Sequence, residues 1–159
     1  MKTKLSSLIL GLSLLVLTSG CWLTGSDTYD TTKYTAAHEA ALNGDDAKLA
    51  SLLKAYPTIV NTPDYDKSSL LHLSVAHNRT NTEALLLDSG ADVNAQNTAG
   101  MTPLHIAARE GFFVAAKMLV DHHADLKITD NRGWTALKWA EMAHKDDVAG
   151  LLRNALPAN

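Results

Sequence analysis

The stretch Gly100-Met101-Thr102-Pro103-Leu104-His105-Ile106-Ala107-Ala108-Arg109-Glu110-Gly111 decides how this chain folds. Its local chemistry predicts a short helix. Thr102 offers a side-chain oxygen to the free N–H groups of the first turn. Pro103 follows at the first helical position, where its missing N–H costs nothing and its fixed φ suits the helix. Leu104, Ala107 and Ala108 make an apolar stripe at helical spacing, small enough for another helix to approach closely. Gly111 supplies the left-handed stop. A helix of about two to three turns is not stable alone, so it must lean on neighbours.

Neighbours of the same kind are present at a fixed interval. One interval downstream, Gly133-Trp134-Thr135-Ala136-Leu137-Lys138-Trp139-Ala140 falls onto Gly100 to Ala107. One interval upstream, Ser69 to Ser74 takes the place of Thr102 to Ala107. The second halves repeat in the same step, Gly90 to Gln96 matching His123 to Thr129. A weaker copy runs from Tyr34 to Asn61, with His38 to Gly44 matching His105 to Gly111 and one extra residue between its halves. A period near 33 around a Thr-Pro-Leu-His-x-Ala core resembles the ankyrin-repeat family. The resemblance implies an all-α solenoid of about four helix-turn-helix units joined by hairpin-like loops. The units fall at about 31–63, 64–96, 97–129 and 130–156.

Ahead of the repeats, Lys2 and Lys4 precede an apolar run from Leu5 to Leu17, about 13 residues. That is short of the roughly 20 a spanning helix needs, so residues 1–20 read as an export signal peptide. Its end, Leu17-Thr18-Ser19-Gly20-Cys21, resembles a bacterial lipobox, in which the cysteine is lipidated and becomes the mature N-terminus. Thr18 stands where that motif usually has leucine. The alternative is ordinary cleavage near Gly20 or Gly25. Trp22 after the cysteine, rather than aspartate, resembles lipoproteins of the outer membrane. The expectation is an exported periplasmic protein, lipid-anchored through Cys21, with residues 21–30 as a tether. Cys21 is the only cysteine, which excludes an intramolecular disulfide.

Net charge is −3, and losing the two leader lysines would make the body more acidic still. A body of that sign lacks the basic footprint of a nucleic-acid binder. No phosphate loop or nucleophile-base signature appears, so no enzyme activity and no cofactor are expected. Of the 7 histidines, His38, His72 and His105 share one slot in successive units, where the family uses histidine structurally. His122 and His123, flanked by Asp121 and Asp125, are the one dense cluster of metal-ligand types. Adjacent residues on a helix diverge, which suits a polar helix end better than a closed metal site.

Along the repeats, Thr35 is placed near the cap of the first helix. Lys67 and Leu70 replace the loop glycine and helix-start proline of the second unit, which predicts weaker capping and a less regular loop there. Phe113, Val114, Met118 and Leu119 are expected to pack the second helix of the third unit, and Trp139, matching Ile106 and Leu73, to lie in the core. His123 takes a position with φ > 0 that usually belongs to glycine. Lys145, Asp146, Asp147 and Arg153 give the last helix a solvated outer face, as a terminal repeat requires.

In ankyrin-like stacks the loop tips and first helices line a concave face that contacts partner proteins. The matching positions here include Tyr65, Asp66, His77, Met101, Arg109, Glu110, Arg132, Trp134 and Met142. Tyrosine, tryptophan and arginine dominate interface hot spots, and methionine adapts to irregular apolar contacts. The resemblance therefore implies a protein-binding module. Two specific roles fit it: a scaffold or accessory factor for an envelope protein, or an immunity protein that covers a toxin enzyme. Histidine-mediated metal binding is a third, distinct reading.

Overall fold

Pro103 and Thr102 open a helix where the sequence places one, and Ser69 and Thr135 cap its counterparts one unit before and after, without the proline. The computed structural model describes residues 31–156; the leader, Cys21 and the tether lie outside the described residues. Eight α-helices follow in order. They are α1 (Thr31–Asn43), α2 (Asp46–Ala55), α3 (Leu70–Ala76), α4 (Thr80–Asp88), α5 (Pro103–Glu110), α6 (Phe113–Asp121), α7 (Ala136–Met142) and α8 (Asp146–Ala155). A 3-10 turn, Pro57–Asn61, follows α2.

The helices form two rows. In one, α1 packs on α3, α3 on α5 and α5 on α7; in the other, α2, α4, α6 and α8 pack in sequence. Small residues sit where the rows close: Ala37, Ala40, Ala41, Ala107, Ala108, Ala115, Ala116, Ala136 and Ala140 are all buried. Leu49, Leu70, Leu71, Leu86, Leu104, Leu119 and Leu152 fill the space between. Each such leucine contributes roughly 1.5–3 kcal/mol by leaving water. One core runs the length of the stack.

The hairpin loops keep step with the helices. Asp64, Asn97 and Asp130 hold the same slot in successive units, and each side chain accepts two backbone N–H groups of its own turn. Successive hairpins then join: the Thr98 N–H donates to the Asp66 carbonyl at 2.8 Å, and the Asn131 N–H to the Ala99 carbonyl at 3.0 Å. Asn61 and Asn94 make further cross-links, to Asp92 and Asp125 respectively.

Several sequence expectations need correction. α1 begins at Thr31, so Thr35 lies inside the helix rather than at its cap. The second-unit loop is as regular as the others, because Asp64 builds its turn and Ser69 caps α3, its oxygen accepting the His72 N–H. Lys67 takes the left-handed conformation itself, with φ 56°, in the slot of Gly100 and Gly133. His123 does the same at φ 62°, as the sequence reading expects. Phe113 and Val114 are exposed at the start of α6; Ala115, Ala116 and Leu119 do the packing.

Candidate functional site

Asp130 organises one end of the face formed by the hairpin tips and the first helices. One carboxylate oxygen accepts the N–H groups of Arg132 and Trp134, both at 2.9 Å. The other accepts the Trp139 indole N–H at 2.9 Å. Burial pushes this carboxyl upward, but the bonds from Trp134, Trp139 and Arg132 outweigh it and hold the group below the usual carboxylate range. Asp130 therefore stays ionised and fixes a loop and an indole together. Sequence reasoning missed it, although the periodic series Asp64, Asn97, Asp130 carried the signal.

Around that anchor an aromatic-cationic cluster assembles. Trp134 and Trp139 meet edge to face, their ring centroids 5.1 Å apart. The Arg132 guanidinium stands 5.3 Å from the Trp139 centroid and 5.8 Å from that of Trp134. Arg109, from α5, lies 6.0 Å from the Trp139 centroid. An exposed cation-π contact is worth roughly 0.5–1 kcal/mol, enough to restrict both arginines without burying their charge. Trp139 is thus not a core residue, contrary to its match with Ile106. Ile106 packs where α5 meets α7, whereas α7 has α5 and α8 as its partners and leaves Trp139 half-buried at the surface.

Of the residues singled out by the sequence, Arg109, Arg132 and Trp134 come together here. Met142 is exposed nearby on α7. Glu110 binds the Arg109 Nε at 2.7 Å and sits on the rim. Met101 departs from expectation. It is only 7% exposed, with its sulfur 3.9 Å from an Arg109 terminal nitrogen, so it supports the cluster from below.

Tyr65, Asp66 and His77 stand apart, in the second unit. Tyr65 is fully exposed beside a groove of about 500 Å³ lined by Thr35, His38, Glu39, Leu42, Pro63, Asp64 and Leu73. Asp66 gives its carbonyl to the next hairpin, and His77 caps the end of α3.

The shared histidine slot links one unit to the next. The Ser69 and Thr102 N–H groups donate to the Nδ1 atoms of His72 and His105, both at 3.1 Å. Each Nε2 then donates across to the following unit, to the Met101 carbonyl at 2.9 Å and the Trp134 carbonyl at 3.0 Å. Burial lowers both pKa values, in keeping with neutral rings that accept at one nitrogen and donate at the other. His38 differs. Its Nδ1 lies 2.6 Å from the Tyr34 carbonyl of its own helix, and its Nε2 has no hydrogen-bond partner among the described residues.

His122 and His123 are exposed at the end of α6, where their backbone N–H groups close the helix on Met118 and Val120. Asp121 pairs with Lys117 instead. Among the described residues no three His, Cys, Asp or Glu side chains converge on a metal position. None of the described helices is long and apolar enough to cross a membrane.

A family model described as ankyrin repeats in 3 copies matches residues 12–97 and 82–158. The chain belongs to the ankyrin-repeat family. Ankyrin repeats are protein-protein interaction modules and generally not enzymes. Among similar proteins, a human transient receptor potential cation channel, subfamily A member 1, is 34% identical over 111 residues, 68% of this chain and 10% of the channel. A putative ankyrin repeat protein of Rickettsia felis is 35% identical over 88 residues, 50% of this chain and 39% of that protein. Human ankyrin repeat domain-containing protein 53 is 43% identical over 83 residues, 49% of this chain and 16% of its own length. The ankyrin stack thus corresponds to well under half of each of these relatives.

Proposed function

We propose that this ankyrin stack is a non-enzymatic binding module of the bacterial cell envelope, exported and held at the membrane by lipid on Cys21, that grips a partner protein through its concave face. One observation carries the reading: the cluster of Arg109, Arg132, Trp134 and Trp139 departs from the repeat pattern. The same slots hold Ala76, Ala99, Met101 and Ile106 one unit earlier, so the fold itself asks for none of the four larger types. Half-exposed indoles with restrained arginines have the composition of an interface centre, and Met142 and Glu110 have that of its rim. The envelope placement is supported by Lys2, Lys4, the apolar run to Leu17 and the position of Cys21.

The test is capture of envelope proteins by the mature chain and by a Trp134→Ala, Arg109→Ala variant, the captured proteins being identified by mass. A specific partner lost from the double variant, with its helical spectrum intact, is the expected result. Undiminished capture would place the binding surface elsewhere. Separately, Cys21→Ser should release the protein from the membrane fraction; its retention there would remove the lipid anchor.

A further inference from the structure

The aromatic-cationic cluster shows what kind of surface it is built to meet. Arg132 makes no hydrogen bond through its guanidinium among the described residues; the two indoles alone position it. Arg109 uses only its Nε, on Glu110, and turns a terminal nitrogen toward a thioether. The carboxylates nearby are already committed. Asp130 already accepts three N–H donors, Glu110 holds the Arg109 Nε, and Glu141 pairs with Arg153 at 2.8 Å. The site therefore presents the whole Arg132 guanidinium and the terminal nitrogens of Arg109 without a carboxylate partner among the described residues, beside two half-exposed indole faces. Carboxylates answer that geometry, since a guanidinium edge accommodates both carboxylate oxygens at once.

We propose that this cluster takes a short acidic segment of a partner protein, its carboxylates on Arg109 and Arg132 and an adjoining side chain across Trp134. The inference rests on the concave-face reading above and names the partner's chemistry. A peptide suits the site better than a nucleic acid. The chain carries a net charge of −3, and Glu110 rims the cluster, so a long polyanion would be repelled beyond its first contacts. A segment with a few carboxylates and an apolar residue between them escapes that repulsion.

Fluorescence anisotropy of the mature chain with a labelled peptide alternating glutamate and glycine around a central leucine tests this. Its counterpart with glutamine for glutamate and a thymidine oligonucleotide of equal charge serve as comparisons. The glutamate peptide should bind at least about tenfold more tightly than the glutamine peptide, and less tightly as salt rises. Arg132→Gln should abolish that preference, and Arg132→Lys should keep part of it because charge remains while the planar fork is lost. Equal binding of the two peptides would overturn the inference, as would indifference to Arg132→Gln. Equal or tighter binding of the oligonucleotide would replace the acidic segment by a general polyanion. If Trp134→Ala, Arg109→Ala abolishes partner capture while the acidic peptide fails to bind, the concave face stands and only the acidic chemistry falls. If the peptide binds at the cluster while that variant still captures its partner, the reverse holds.

Discussion

Glu83 is fully buried on α4, and neither of its carboxylate oxygens has a hydrogen-bond partner among the described residues. One and two units on, the same slot holds Ala116 and Ala149, both buried. Burial disfavours the ionised form and pushes this carboxyl up to about 7. In the unfolded chain it ionises near the ordinary value of about 4.3. As pH rises, the unfolded state loses its proton first. Stability present below about pH 4 is therefore lost progressively up to about pH 7, on the order of 3 kcal/mol. His72 and His105 act from the acid side. Burial lowers both, so the unfolded chain gains protons first as pH falls below about 6.5, and stability declines there too. Glu83→Met keeps the volume and removes the charge. It should raise the melting temperature markedly at pH 8 and much less at pH 5. Thermal melts at the two pH values check this, and an equal gain at both would mean that Glu83 is not held as an acid in the folded chain.

The hairpin is the element whose chemistry was only half legible. The repeat period and the Thr-Pro-Leu-His core placed its position in every unit. The loop glycine and the helix-start proline count for less than the sequence suggests. The turn is set by the Asx side chain at 64, 97 and 130, and that choice survives the loss of both at Lys67 and Leu70. Conformational strain remains nonetheless, since a left-handed lysine costs roughly 1–2 kcal/mol relative to glycine. Lys67→Gly should recover about 1 kcal/mol in denaturant unfolding. The opposite exchange is worse than strain. A Cβ on Gly100 would stand 2.5 Å from the Asn131 side-chain oxygen and 2.8 Å from its backbone nitrogen, in the contact that joins two hairpins. Gly100→Ala should cost more than Lys67→Gly gains, with the slope of unfolding against denaturant checking that cooperativity changes as well. Equal and opposite shifts would mean that only local φ matters and the junction has room to spare.

At the scale of the whole stack, register told more than composition did. Matching one unit onto the next located the paired helices and the face on which Arg109, Arg132 and Trp134 meet. It misplaced Trp139 and Met101, because slot equivalence assumes equal cover. Ile106 is covered where α7 packs on α5, Trp139 is held at the surface by Asp130, and Met101 is roofed by Arg109. Glu83 was readable from its alanine counterparts, had burial been inferred from them. The histidine bridges also rank the junctions between units. His72 and His105 each span one; the first junction has side-chain ties from Arg79 to the Leu42 carbonyl and from Thr82 to Asp46, but no bridge from His38. Hydrogen-deuterium exchange should therefore find α1 and α2 exchanging fastest and α5 slowest. Uniform protection from α1 to α8 would mean that the missing bridge does not matter.

His38 also has a mechanical consequence. A pull delivered at the amino-terminal end loads the junction without an imidazole strut before it loads any other. The stack should then peel like a zipper from that side, one paired-helix tooth at a time. The indoles and arginines at the far end would keep their grip while the near end lengthens.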